Sequence, residues 1–407
     1  MHRPRSGASL PVHLAAATPL RISAEGMATA LVLAVAARTG HAATAGFLQT
    51  AMTLPYVLSG PVAGHLLDRV ARPGRVAVAM AAGYVAAAAL LLALAGAAPL
   101  AVAAVAAVAV GLTEPVVVAL SGLLPRFVPA PLLPRAYGLE AASYDVASIA
   151  GPGLAAVVAS LYGGAHAGAA MVVAAALGLA ALPFVRVPGP GPAGGPAARP
   201  GLGEVVTGGL AVLARLPVLR AFTVATTLAW LGFGGVAVSS VLLAERFGAP
   251  ASGGGQLLVA FSAGALAGSL ACSRWLTVRA ALPVLFAGLA GFGGALALLP
   301  AMPSLGWALA VFAVAGAAEG PVFAATLMLR QREAPAERLG QVNTTAGSLK
   351  IGASALGAAL TGLTADTIGP GGLFLAIAGF QFAGAGIGLA LLRRARRGET
   401  LAAMDLV

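Results

Sequence analysis

Apolar residues occur in long blocks separated by brief polar punctuation. A helix needs about 20 mostly apolar residues to cross a hydrocarbon layer, and the blocks predict such helices near 14–37, 42–67, 76–97, 100–123, 138–161 and 166–185. A second set is predicted near 220–243, 253–273, 280–299, 304–328, 340–364 and 370–392. The runs are far longer than the roughly 10-residue alternating segments of a membrane barrel. The expected fold class is therefore an all-α membrane protein with twelve transmembrane helices in two six-helix halves.

Composition agrees, with 59% of the 407 residues hydrophobic, 9% charged and a mean hydropathy of +0.94. No water-soluble core absorbs so much apolar surface. The net charge of +11 would suggest nucleic-acid binding in a soluble chain. Here the basic residues are scattered through short loops without interleaved aromatics, so no nucleic-acid partner is expected. The sole cysteine, Cys272, has no partner within the chain for a disulfide.

Lys and Arg are retained on the cytoplasmic side of a membrane. With the N-terminus inside, 20 of the 24 basic residues fall in cytoplasmic segments, from Arg3 and Arg5 through Arg126, Arg199 and Arg330 to the run Arg393, Arg394, Arg396 and Arg397. Only Arg38 and Arg246 fall outside, and Arg21 and Lys350 lie within spans. The split predicts both termini in the cytoplasm. The apolar pattern continues past Arg21 to Ala37, which favours a first span over a removable leader.

The stretch Val187 to Gly201 is rich in Pro, Gly and Ala and has the composition of an extended linker. It divides an N-terminal half (1–185) from a linker (186–219) and a C-terminal half with a basic tail (220–407). The halves repeat each other: Pro115, Arg126 and Pro129 recur 206 positions later as Pro321, Arg332 and Pro335. Arg38, Gly46 and Gly60 recur 208 positions later as Arg246, Gly254 and Gly268, and Gly138 falls on Gly340. Parallel six-helix repeats are an architecture of secondary transporters.

The loop after the second span reads GHLLDRVARPGR, Gly64 to Arg75. It resembles the loop signature of the major facilitator superfamily, G-x-L-x-D-R-x-G-R-R, with Gly64, Leu66, Asp68 and Arg69 in place and Gly74 and Arg75 matching after a short insertion. The resemblance implies the major facilitator fold and a conformational latch in which Asp68 and Arg69 join helix ends. The equivalent loop of the second half, Ala271 to Arg279, lacks the aspartate. The fifth span carries Gly138, Ala147, Gly151 and Pro152 at the spacing of a motif found in exporters of the superfamily, including bacterial drug and metabolite exporters. Alanines replace three of its glycines. The arginine that drug/proton antiporters of the family hold in the fourth span is missing, since 100–123 contains only Glu114 as a charged residue.

An ionisable group at the bilayer centre costs roughly 2.5–3.5 kcal/mol on insertion scales, which makes each one a candidate for function. Arg21 and Glu25 share one face of the first span at i,i+4 spacing and are able to pair. Glu114 and Glu319 stand before Pro115 and Pro321, whose missing N–H is expected to loosen each helix. Asp145 and Lys350, the only lysine, suit a pair across the halves or an anionic substrate. Tyr56, Tyr84, Tyr144, Trp230 and Phe233 are candidate cavity aromatics. The basic tail is expected to meet anionic lipid headgroups.

No phosphate-binding G-x-x-x-x-G-K-[ST], metal-ligand spacing or nucleophile elbow is present. The expectation is a transporter without cofactor or metal, and not an enzyme. It would move a small-molecule substrate, with protons as coupling partner and export as direction, and would function as a monomer in the cytoplasmic membrane of a bacterium. The alternatives are an importer or symporter of the same fold, or a membrane sensor or assembly protein that has lost transport.

Overall fold

A computed structural model of the protein describes residues 9–39, 43–188, 202–249 and 252–404. Arg3, Arg5, and residues 189–201 of the expected linker, Arg199 among them, lie outside these residues. Among the described residues the chain is helical and contains no strand. The helices are α1 (Ser9–Thr39), α2 (Ala43–Arg69), α3 (Pro73–Leu94), α4 (Leu100–Thr113), α5 (Leu133–Tyr162) and α6 (Ala167–Ala181). They continue with α7 (Leu202–Arg215), α8 (Pro217–Phe233), α9 (Val236–Arg246), α10 (Ser252–Trp275), α11 (Ala281–Leu298), α12 (Leu305–Glu333) and α13 (Leu339–Met404).

Ten helical stretches among the described residues have the length and apolarity to cross a membrane, against the twelve expected. Helices also stand at the two remaining predicted positions, α2 and the first part of α13. These are more polar: α2 carries Gln49, Thr50, Thr53, Ser59 and His65, and α13 opens with Gln341, Asn343, Thr344, Thr345, Ser348 and Lys350. The kink at Gly369, φ +63°, precedes Pro370 and separates the last two predicted spans. A left-handed backbone there suits glycine alone at low cost.

The two prolines expected to loosen their helices behave differently. Pro115 ends regular α-helix: α4 stops at Thr113, a short turn Val116–Ala119 follows, and Leu120–Leu123 tightens to 3-10 helix. Pro321 instead lies inside α12, which runs unbroken to Glu333. The seventh predicted span is divided at Gly234 and Gly235 into α8 and α9. A side chain at Gly234 would strike the backbone of Ser354 on α13, so the glycine pair both interrupts the helix and admits its neighbour. Within the 186–219 stretch assigned to a linker, 202–215 form α7, an amphipathic helix. Its composition hides it, because Gly203, Gly208 and Gly209 sit in only 14 residues.

The helices gather into two compact units. Unit 1 takes 1–136, 143–209 and 335–348. Its helices α1 and α6, α2 and α4, and α3 with both α4 and α6 pack together, around Leu20, Leu31, Leu48, Leu67, Leu91 and Met171. Unit 2 takes 137–142, 210–334 and 349–407. Its core joins Leu243, Leu257, Phe261, Phe292, Phe312 and Phe374, with Phe312 and Phe374 meeting edge to face at 5.6 Å. Outward-pointing Leu54 and Leu363, 70% and 80% exposed, are the expected surface of a chain whose solvent is lipid.

Apolar burial drives little helix association in lipid, so close backbone approach has to supply it. In unit 2, Gly264 and Gly268 of α10 face Ala313 and Ala317 of α12, while Gly316 and Gly320 of α12 face Phe261 and Ala265 of α10. A Cβ at any of the four would collide with a backbone carbonyl. Gly316→Val is expected to lower unfolding stability by about 1–3 kcal/mol through overpacking. Gly294→Ala, where nothing lies within 4 Å, should raise it by up to about 1 kcal/mol through helix propensity. Denaturant-induced unfolding in detergent measures both.

Candidate functional site

Unit 1 contains a polar cluster built from α1, α2, α3, α5 and the irregular stretch after α4. Arg21 is fully buried. Its guanidinium lies 3.9 Å from the centre of the Tyr144 ring and donates to the hydroxyls of Ser121, at 3.3 Å, and Ser143. Tyr144 in turn donates from Oη to the carbonyl of Val117, at 3.3 Å, within the stretch that Pro115 disrupts. A tyrosine thus reaches a backbone acceptor in a disrupted helix.

Glu25, one turn after Arg21, presents an accessible side chain. Glu114 is half-buried, and the two carboxylates are within electrostatic reach of each other. Tyr56 and Tyr84, both buried, are within reach of both. Ser23 and Tyr84 share a hydrogen bond of 3.0 Å. The sequence candidates Arg21, Glu25, Tyr56, Tyr84, Glu114 and Tyr144 therefore form one neighbourhood. Ser23, Ser121 and Ser143, which complete it, carry no sequence signal of their own, because hydroxyls are common in membrane helices. Asp145, half-buried, belongs to unit 1, and Lys350 belongs to unit 2.

Around Lys350 a second set of side chains comes together. Its Nζ lies 5.3 Å from the Trp230 ring and 5.7 Å from the Phe323 ring. Glu319 and Arg330 are within electrostatic reach. Phe233 lies 5.3 Å from Trp230 and continues the aromatic contacts to Phe261 and Phe292. Arg330, counted among cytoplasmic loop residues in the sequence, is 3% exposed in the last turn of α12.

The Gly64–Arg75 motif has a defined partner. The carboxylate of Asp68, 4% exposed at the end of α2, accepts from the backbone N–H groups of Gly340, at 2.9 Å, and Gln341, at 2.8 Å. These are first-turn donors of α13, which a helix leaves unsatisfied unless something caps them. The residue before α13, Arg338, has no acceptor to offer, and the cap comes from 272 positions earlier. Arg126 holds Asp68 from the other side, 3.6 Å from Oδ1 and 3.1 Å from its carbonyl. Arg69 is also within electrostatic reach, whereas Gly74 and Arg75 fall in the first turn of α3 and not in the loop. The sequence motif identified Asp68 but neither Arg126 nor the α13 backbone.

Glycines let α13 settle there. A side chain at Gly60 or Gly64 would collide with Ser348 or with Gly340 and Thr344 respectively, and one at Gly122 would press tightly on Gly340. From α7, Glu204 pairs with Arg338 at 2.6 Å, and its carbonyl accepts from Gln341 Nε2 at 3.1 Å. This pair is partly exposed and contributes less than about 1 kcal/mol.

Burial pushes the Asp68 carboxyl up to about 6, against the pull of the Gln341 and Gly340 N–H groups, Arg126 and Arg69. In water the same group titrates near 3.9. Separating α13 from Asp68 therefore releases a proton between these values, and acidification across that window favours the packed arrangement.

The fifth-span motif serves packing. Gly151 and Gly26 oppose each other where α5 meets α1, Ala147 is fully buried, Pro152 lies within α5, and Gly138 abuts Ser273 in unit 2. The Arg393 and Arg394 side chains line a groove with Arg397, Leu389 and Gly386 in the last third of α13.

Comparison with known proteins agrees with this fold. A family model described as Major Facilitator Superfamily matches residues 15–350. The uncharacterized MFS-type transporter y4rN of Sinorhizobium fredii (strain NBRC 101917 / NGR234) is 30% identical over 361 residues, which span 86% of this chain and 87% of the relative. Among solved structures, the human organic anion transporter MFSD10 (TETRAN) superposes with a TM-score of 0.78 at 17% identity, covering 95% of this chain and all of that one, 100%. A bacterial homologue of the iron transporter ferroportin, in its outward-facing state, gives 0.71 at 15% identity, covering 94% and 99%. These two likenesses are of fold.

Asp68→Ala leaves two first-turn N–H groups without acceptors, and about 1–3 kcal/mol of local stability should be lost. Hydrogen exchange at Gly340 and Gln341 should accelerate by about tenfold or more. Asp68→Asn retains an acceptor but cannot titrate, so the protection of the same amides, after correction for the intrinsic pH dependence of exchange, should no longer vary between about pH 4 and 6.

Proposed function

The chain belongs to the major facilitator superfamily, a family of transporters and not of enzymes, and from that premise we propose that it exports a small solute by alternating access, coupled to proton entry. Asp68 carries this reading. A buried carboxylate seated on the first turn of a helix is strong enough to hold one arrangement and, being a handful of hydrogen bonds, can be broken and remade. The α13 segment it holds is polar on several sides, with Gln341, Asn343, Thr344, Thr345 and Ser348 all buried. Such a segment tolerates contact with water when released.

In this proposal α2 and the first part of α13 complete twelve spans, with both termini in the cytoplasm of a bacterium. Glu25 and Glu114 carry the proton. Two neighbouring carboxylates repel when both are ionised, and one proton relieves them. Tyr56 and Tyr84 frame the pair, and Arg21, anchored by Tyr144, Ser121 and Ser143, fixes a positive charge beside it. Arg393, Arg394 and Arg397 in the last third of α13 would meet anionic lipid headgroups, and the protein would act as a monomer.

The test is a solute panel of cations, anions and neutral compounds, with the protein in liposomes carrying an internal pH dye. Wild-type protein should move at least one solute faster under a pH gradient, with matching proton movement. Glu25→Gln should cut gradient-driven movement at least about tenfold while leaving exchange at equal pH within about twofold. Unchanged coupling in Glu25→Gln removes Glu25 from the mechanism, and no movement of any solute by the wild type removes transport itself.

A further inference from the structure

The charged groups around Lys350 do not balance. Two cations, Lys350 and Arg330, stand within electrostatic reach of each other, with Glu319 the carboxylate that Lys350 meets. Glu140, also buried in unit 2, lies beside Tyr137 at the start of α5. Both cations are more than nine-tenths buried, at 6% exposure for Lys350 and 3% for Arg330. The Nε and Nη2 atoms of Arg330 are enclosed and have no hydrogen-bond partner among the described residues. An enclosed guanidinium with idle donors is costly unless an acceptor visits it.

The surroundings describe that acceptor. Lys350 Nζ rests over the faces of Trp230 and Phe323, both half-buried, from α8 and α12. Rings at 5.3 and 5.7 Å hold an ammonium by cation–π attraction, yet leave its hydrogens available for an oxygen. Phe233 extends the aromatic surface from Trp230 toward Phe261 and Phe292. An organic cation would meet two like charges, Lys350 and Arg330. A dianion would exceed the single positive charge that Glu319 leaves over.

We propose that unit 2 binds an aromatic monoanion, its acidic group held by Lys350 and Arg330 and its ring laid against Trp230, Phe323 and Phe233. This names the substrate class of the transporter proposed above and rests on that reading. It also separates two tasks, with protons handled by the carboxylates of unit 1 and the solute's charge by the cations of unit 2. Carboxylate recognition at such a site is charge-assisted, and an amide of the same shape forfeits it.

The experiment uses the full chain in detergent, with benzoate as probe and benzamide as its neutral isostere. Benzoate should raise the melting temperature and quench tryptophan fluorescence, and benzamide should do neither at the same concentration. Lys350→Gln and Arg330→Gln should each weaken benzoate binding by about tenfold or more, while Lys350→Arg stays within about threefold. Among the three tryptophans, Trp230→Phe should lose the quench and keep the thermal shift, which shows that the fold survives. Equal binding of benzamide and benzoate overturns the proposal. So does benzoate affinity unchanged in both Gln variants. Because binding is read without a membrane gradient, benzoate bound while no solute moves in liposomes counts against transport. Other solutes moved while benzoate is not bound counts against this site alone.

Discussion

The first turn of α13 is completed by a side chain from α2. Its N–H groups at Gly340 and Gln341 find their acceptor in Asp68, and neither Arg338 nor Leu339, which lead into them, carries a side-chain acceptor. Backbone groups at the edge of a low-dielectric layer have to be satisfied by protein, so helix end and carboxylate depend on each other. Much of the neighbourhood follows from that dependence. Gly60, Gly64 and Gly122 are small because α13 lies against them, Arg126 is drawn in as counter-charge, and α7 reaches the same turn through Glu204.

The same constraint acts on the charges deeper in the chain. Each is expensive alone, and two of them are found among groups that moderate them. Arg21 is spread over two hydroxyls and an aromatic face. Lys350 is held by two rings and the field of Glu319. The two units answer the problem with different chemistry, hydroxyls and phenols around carboxylates in one, large apolar rings around cations in the other. Small residues do the remaining work, and the reciprocal glycines of α10 and α12 show how backbone contact replaces the hydrophobic effect where the solvent is itself apolar.

Much of this was legible in the chain alone. Blocks of apolar residues placed the helices because hydrocarbon thickness is a fixed length, and the Gly64–Arg75 signature singled out Asp68. Charges within apolar runs marked Arg21, Glu25, Glu114, Asp145, Glu319 and Lys350, since lipid makes such residues rare. What these residues touch was not legible. Arg330 and Arg126 look like ordinary cytoplasmic arginines, yet one is enclosed beside Lys350 and the other clasps Asp68. Pro115 and Pro321 stand in matching contexts, but only the first interrupts its helix. Helix α7 escaped notice because three glycines weaken its local preference, and contacts with Arg338 and Gln341 accompany its formation. Span position is set by a local quantity, the hydropathy of some 20 consecutive residues. Partnership is set by which helices meet, and that depends on contacts between residues hundreds of positions apart.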